Sequence, residues 1–163
     1  MKLRELAAKD AGAMLEWMHD SDVVAKMGTN FQNKTISDCY SFINNASKDS
    51  NNIHRAIVNE KDEYLGTVSL KNIDRKEKIA EFAIVVCKKS MGTGVAAWAM
   101  QEIIHFGRKE LDLQRIVWCV RKDNIRAKKF YIKNGYQETQ NLPQYLCDTY
   151  NNSLDLIWFE WRE

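Results

Sequence analysis

The chain has 163 residues, 45% of them hydrophobic and 28% charged, with 24 Lys and Arg against 22 Asp and Glu and a formal charge of +2. That balance argues against a nucleic-acid or anionic-membrane partner, which calls for a basic patch, and no apolar run approaches the roughly 20 residues of a membrane span. The N-terminus lacks a signal-peptide core, four cysteines are too far apart for CxxC motifs and no two of three histidines have ligand spacing, so one cytoplasmic domain over residues 1–163 with reduced thiols and no metal is expected.

Lys2–Leu6 alternates as an edge strand. Asp10 stands where an N-cap belongs, ahead of a helix over Ala11–His19, and Ser21–Lys26 continues as a second short helix. After a polar loop at 28–34, Thr35 and Asp38 form a capping-box pattern that opens a helix to about Lys48. Ile53–Asn59, Tyr64–Lys71 and Ile79–Cys87 read as three strands separated by hairpin-length turns. A helix over Gly94–Lys109, a strand over Leu113–Val120 and a helix over Asn124–Lys133 come next, the last stopped by Asn134-Gly135. Tyr136–Thr139 and Leu154–Trp161 close the chain as an antiparallel pair, with Gln140–Ser153 as a long loop between them. The order predicts an α/β domain with a mixed, mostly antiparallel sheet of about seven strands and helices on both faces.

The most informative stretch is Glu81–Gly107, where an apolar strand runs through a basic turn into Gly92-Thr93-Gly94 and a helix. A helix N-terminus has main-chain N–H groups without internal partners and carries partial positive charge, so a glycine turn there suits a phosphate. Gly92–Ala97 also fits the dinucleotide fingerprint GxGxxA. Its context does not: antiparallel strands precede it, four polar or basic residues separate strand from glycine, and the next strand ends in Cys119-Val120-Arg121 with no ribose-binding acid. A Walker loop is excluded because no GK[ST] is present after the glycines.

The segment resembles the main motif of the GNAT superfamily of N-acetyltransferases, a strand followed by [Q/R]-x-x-G-x-[G/A] and a helix. Here it reads Lys89-Ser90-Met91-Gly92-Thr93-Gly94, with lysine in place of Gln or Arg. A second signature, N-x-x-A-x-x-x-Y-x-x-x-G-[F/Y], is matched by Asn124, Ala127, Tyr131, Gly135 and Tyr136. The match is most similar to the branch that acetylates ribosomal-protein N-termini, with relatives acting on small amines and nucleotide-linked amino sugars.

That resemblance implies a GNAT-like fold, acetyl-CoA as co-substrate and direct transfer to a primary amine. It implies that N–H groups of Ser90, Met91, Gly92, Thr93, Gly94 and Val95 cradle the pyrophosphate. The main strand and the next would splay, with pantetheine pairing to main-chain groups at Ile84, Val85 and Val86 and an N–H of a bulge there meeting the oxyanion. Lys89 either adds charge to a phosphate or is solvated; Asn124 either contacts pantetheine or caps the last helix. Tyr131 matches the general acid for departing CoA, while an aromatic on an amphipathic helix otherwise packs. Glu81 opens the main strand as candidate base, against the reading of a fixed salt bridge. Cys119 stands where some members carry a base and is a poor substitute.

For the acceptor, Trp17, His19 and Asp20 line a pocket or merely pack and cap, and Tyr145 and Tyr150 sit in the long loop. A small molecule such as an amino sugar is the first expectation. A ribosomal or other protein N-terminus, or a non-catalytic acyl-CoA-binding regulatory role, is the alternative. Trp158, Phe159 and Trp161 either pack internally or form an edge contact in a homodimer.

Overall fold

Each expected strand and helix forms within a few residues of its expected ends, and one helix forms that periodicity did not suggest. The computed structural model describes residues 1–151 and 153–163. In chain order the elements are β1 (Lys2–Glu5), α1 (Ala11–Met18), α2 (Ser21–Val24), α3 (Ile36–Ala46), β2 (Ile53–Val58), β3 (Tyr64–Asp74), β4 (Ile79–Val86), α4 (Val95–Leu111), β5 (Arg115–Arg121), α5 (Ile125–Lys133), β6 (Gln137–Thr139), α6 (Gln144–Thr149) and β7 (Leu156–Arg162). The additional helix is α6, inside the expected loop at 140–153, of which residue 152 lies outside the described residues. Six residues are too few to display a period, but Pro143 just ahead of the helix is a start signal. Fully buried Leu146 anchors α6 against Ile79 and Val117.

The strands form one seven-stranded sheet in the order β1-β2-β3-β4-β5-β7-β6. Every neighbouring pair is antiparallel except β4 and β5. That parallel pair is short: Ile79, Ala80 and Glu81 face Arg115, Ile116 and Val117, and pairing ends there. Beyond it β4 continues to Val86, held by β3 as far as Gly66, and β5 continues to Arg121, held by β7 along its whole length. Two intact half-sheets therefore diverge, and the gap between them is the expected splay.

Apolar side chains alternate along the strands and pack on both faces. On one face Leu70, Phe82, Ile116, Trp118 and Phe159 meet α4 through Met100 and Ile103, and α5 through Tyr131. On the other, Ala56, Val58 and Tyr64 meet α1 and α3 through Met14, Trp17, Cys39 and Ile43. Phe159 is fully buried, Trp158 and Trp161 pack against these clusters, and β7 lies between β5 and β6. The aromatics of the last strand are thus interior packing, not a free edge.

Asp10 departs from its expected role. It makes no cap to α1; its buried carboxylate instead accepts from Ala7 N–H and from both terminal nitrogens of Arg4 at 2.7 and 2.8 Å. The Thr35–Asp38 capping box forms as expected.

Gly66 lets β3 approach β4 beside the gap. A Cβ there would overlap the Val85 carbonyl oxygen and lie 2.9 Å from Val86 Cα, both backbone atoms that cannot swing aside. Gly66→Ala should therefore destabilise the protein by about 1–3 kcal/mol, as overpacking generally does. In a thermal melt this corresponds to a fall of roughly 2–4 °C per kcal/mol for a chain of this size. An unchanged melting temperature would mean that the strands separate without penalty.

Candidate active site

The turn between β4 and α4 is built to leave N–H groups free. Lys88–Ser90 forms one tight 3-10 turn, in which Ser90 N–H bonds Cys87 O at 2.8 Å and Met91 N–H bonds Lys88 O at 3.1 Å. Thr93 fastens the glycine step to this turn, its hydroxyl donating to Ser90 O at 2.7 Å. Gly92 and Gly94 adopt φ of +80° and +88°, a left-handed backbone that costs an ordinary L-residue about 1–2 kcal/mol. A Cβ on either glycine would meet nothing within 4 Å, so a side chain there would project into the open cradle. The first bond into the helix is Trp98 N–H to Gly94 O at 3.0 Å. Among the described residues, the N–H groups of Gly92, Gly94, Val95, Ala96 and Ala97 consequently have no partner. The cradle therefore lies slightly further along than Ser90–Val95, because Ser90, Met91 and Thr93 donate within the turn itself.

Lys88, Lys89 and Arg126 bring positive charge to the turn. Lys88 pairs with Asp22 at 2.6 Å, whereas Lys89 is exposed and makes no ion pair among the described residues. Arg126, from the first turn of α5, reaches the loop and lies 3.4 Å from Met91 Sδ. Sequence reasoning missed Arg126 because its closeness to the glycine turn depends on how α5 packs.

The gap continues from this cradle. Cys87 N–H donates to Leu65 O on β3, so alternation points the Val85 main chain toward β3 and the Ile84 and Val86 groups toward the gap. There β5 offers no partner. Val85 is thus engaged with β3, and pairing by an extended ligand falls to Ile84 and Val86. No register shift occurs at Ile84–Val86; the irregularity of this ladder lies on β3, between Lys71 and Asp74. A strand too far from its neighbour leaves donors unpaired without any bulge.

Tyr131 lies on α5 and packs into the core beside β5. It is 8% exposed, ringed by Trp118, Phe130 and Phe159 at centroid distances of 5.2–5.3 Å. Its hydroxyl makes no hydrogen bond among the described residues, yet the Trp118 indole N–H is the one fully enclosed side-chain polar atom there without a partner. The Tyr131 hydroxyl is therefore not sealed off. Burial above all, with Cys119 and Tyr136 nearby, pushes its pKa well above the usual phenol value, so it keeps its proton at neutral pH. Asn124 caps α5, its side-chain oxygen accepting from Ala127 N–H at 3.1 Å, which leaves its amide NH2 for another partner.

Glu81 sits at the last paired position before the gap, 3% exposed. Lys71 Nζ lies 3.0 Å from its Oε1, Asn72 Nδ2 donates to Oε2 at 2.8 Å, and the Tyr150 hydroxyl donates to Oε1. The β3 irregularity explains Asn72: its backbone is left-handed, at φ +50°, which turns the side chain back toward β4. Cys119 lies on β5 beside this group, its thiol pushed up to about 11 by burial and then by Glu81. It is neutral at physiological pH and no base. On the same face His54 bonds Ser69 Oγ at 2.7 Å, and burial lowers its pKa from 6.5, keeping it uncharged at pH 7.

The residues suggested for the acceptor are not brought together. Trp17 is buried and donates to Tyr64 OH at 3.2 Å; His19 lies 2.9 Å from Lys34 O; Asp20 caps α2. Tyr145 and Tyr150 do approach Glu81 through α6, Tyr145 by a bond to Asn72 O at 3.4 Å. Among the described residues there is no cluster of metal-ligating side chains, and no helix is long and apolar enough to cross a membrane.

Comparison with known proteins identifies the family and the fold. Residues 1–137 match the family described as "Acetyltransferase (GNAT) domain". A Bacillus licheniformis protein named "Uncharacterized N-acetyltransferase p20" is 29% identical over 163 residues, covering 94% of this chain and 92% of its own. The ribosomal-protein-serine acetyltransferase of Escherichia coli is 28% identical over 98 residues, 59% of this chain and 55% of that protein. The spermidine N-acetyltransferase of Vibrio cholerae, solved with CoA and spermine, superposes with a TM-score of 0.82 over 99% of this chain and 94% of that one, at 17% identity.

Proposed function

The chain belongs to the GNAT acetyltransferase family, and from that premise we propose that it transfers the acetyl group of acetyl-CoA directly to the primary amine of a small molecule. The observation that carries this reading is the gap between β4 and β5, with a row of unpaired N–H groups at one end and Glu81 at the other. The pyrophosphate sits on the N–H groups of Gly92 and Gly94–Ala97 at the positive end of α4, with Lys89 and Arg126 adding charge. Pantetheine runs along β4 against Ile84 and Val86. The amine nitrogen attacks the thioester carbon, and an N–H facing the gap, from Ile84 or Val86, meets the developing oxyanion. Glu81 takes the proton that the amine must lose, directly or through water. Collapse of the tetrahedral intermediate breaks the carbon–sulfur bond, and Tyr131 protonates the departing thiolate.

The acceptor side favours a small amine of low charge, such as an amino sugar. Glu81 already has Lys71 as counter-ion and His54 is uncharged, so the proposed base is not a free carboxylate for the second ammonium of a polycation. A second reading, a polyamine, is supported by the resemblance in fold to an enzyme solved with spermine. A third, a protein N-terminus, is supported by the ribosomal-protein relative.

A thiol-release assay with acetyl-CoA against amino sugars, spermidine and N-terminal peptides tests all three. The expected result is highest kcat/KM on an amino sugar. Preference for spermidine or for a peptide would replace the acceptor assignment, and binding of acetyl-CoA without turnover on any amine would favour a regulatory module.

A further inference from the structure

We propose that Tyr150 is a positioning residue for acetyl transfer, its hydroxyl holding the Glu81 carboxylate at the mouth of the gap. The inference rests on the reading of Glu81 as the base. Of the three side chains that bond that carboxylate among the described residues, Lys71 and Asn72 come from β3, the strand paired with β4. Tyr150 alone comes from a distant part of the chain, at the C-terminal end of α6.

Its placement is specific. The hydroxyl donates to Glu81 on β4, close to the Cys119 thiol on the facing strand β5. Its ring stands edge-on to Trp158 at 5.1 Å, and Trp158 faces Cys119 across the β5–β7 ladder. Buried Leu146 fastens the preceding helix to Ile79 and Val117, within the same short parallel pairing that contains Glu81. The hydroxyl thus reaches Glu81 from a side chain braced at two points.

The chemistry suits positioning and not proton transfer. Burial first, and then Glu81, drive the Tyr150 pKa above the usual phenol value, so the hydroxyl remains a donor. It shares Oε1 with Lys71, which leaves Oε2, bonded among the described residues to Asn72 alone, as the oxygen with room for the amine proton. Without Tyr150 the carboxylate can rotate toward Lys71, and its lone pairs lose their aim. An error of about 1 Å in a reacting group can cost on the order of a hundredfold.

The test compares Tyr150→Phe, Glu81→Gln and the double variant, using the full chain, acetyl-CoA and its best amine from the panel. Tyr150→Phe keeps the ring on Trp158. We expect kcat to fall on the order of ten- to a hundredfold, with acetyl-CoA affinity unchanged and the melting temperature lowered by only the few degrees that one lost hydrogen bond costs. The double variant should be no slower than Glu81→Gln, because groups acting through one another are not additive. The defect should also shrink for an amine that is already neutral at the assay pH. Independent, multiplying losses in the double variant would overturn the proposal, as would a Tyr150→Phe enzyme as fast as the parent while Glu81→Gln is slow. If Glu81→Gln itself turns over normally, the base reading fails and the proposal fails with it, a pattern distinct from the other two. A loss in Tyr150→Phe that is equal for both amines would identify a merely structural contact and overturn the proposal.

Discussion

Tyr131→Phe should lower turnover by about 10²- to 10⁴-fold, the usual worth of a positioned acid or base, and leave the folded protein as stable as before. The two halves of that expectation come from one observation. The Tyr131 ring is packed among Trp118, Phe130 and Phe159, but its hydroxyl bonds nothing among the described residues. Phenylalanine keeps the packing and removes no bond, so a thermal melt should show little change. The hydroxyl matters only in the reaction. Its raised pKa means that it is fully protonated through the working range, and the variant should be most impaired at high pH, where solvent is the poorest proton source. Acetyl-CoA affinity, measured by calorimetry, should be nearly intact. Unchanged turnover would remove the acid assignment and leave Tyr131 as core packing.

Gly94→Asp should abolish acetyl-CoA binding in a protein that still folds. Asp tolerates the left-handed conformation better than most residues, and the space around a Cβ at Gly94 is open, so the cost to folding is modest. The added carboxylate, however, enters the cradle meant for phosphates. Two like charges about 4 Å apart at an effective dielectric of about 20 repel by roughly 4 kcal/mol, on the order of a thousandfold in Kd. Gly94→Asn is the control, having similar shape without charge, and should lose far less. Equal losses in both would indicate that the cradle excludes any side chain by its shape; normal binding by the Asp variant would show that phosphates do not sit at this turn.

Much of the fold is legible in the chain. Strands, helices and caps depend on neighbours within a few residues, so periodicity, the Thr35–Asp38 box and the glycine pair reveal them locally. The phosphate turn is likewise continuous in sequence, which is why Gly92 and Gly94 are readable together with the helix after them. The acid and base candidates are readable only by resemblance, since a lone Tyr131 on an amphipathic helix is chemically indistinguishable from core.

Sequence does not convey which distant groups meet. Asp10 has the pattern of a local cap, but Arg4 and the Ala7 N–H engage its carboxylate, because a buried charge must be compensated by whichever cation the fold brings near. Glu81, in sequence, is a strand-end acid with two open readings. The tertiary structure surrounds it with Lys71 and Asn72, turned inward by the β3 irregularity, and with Tyr150, which is 69 residues away. The sequence by itself determined a strand, a glycine turn and a helix that can hold phosphate, because each of these is a property of contiguous backbone. The tertiary structure alone decided where β4 parts from β5, which N–H groups that leaves unpaired, and which side chains converge on Glu81, because those depend on the pairing of distant strands.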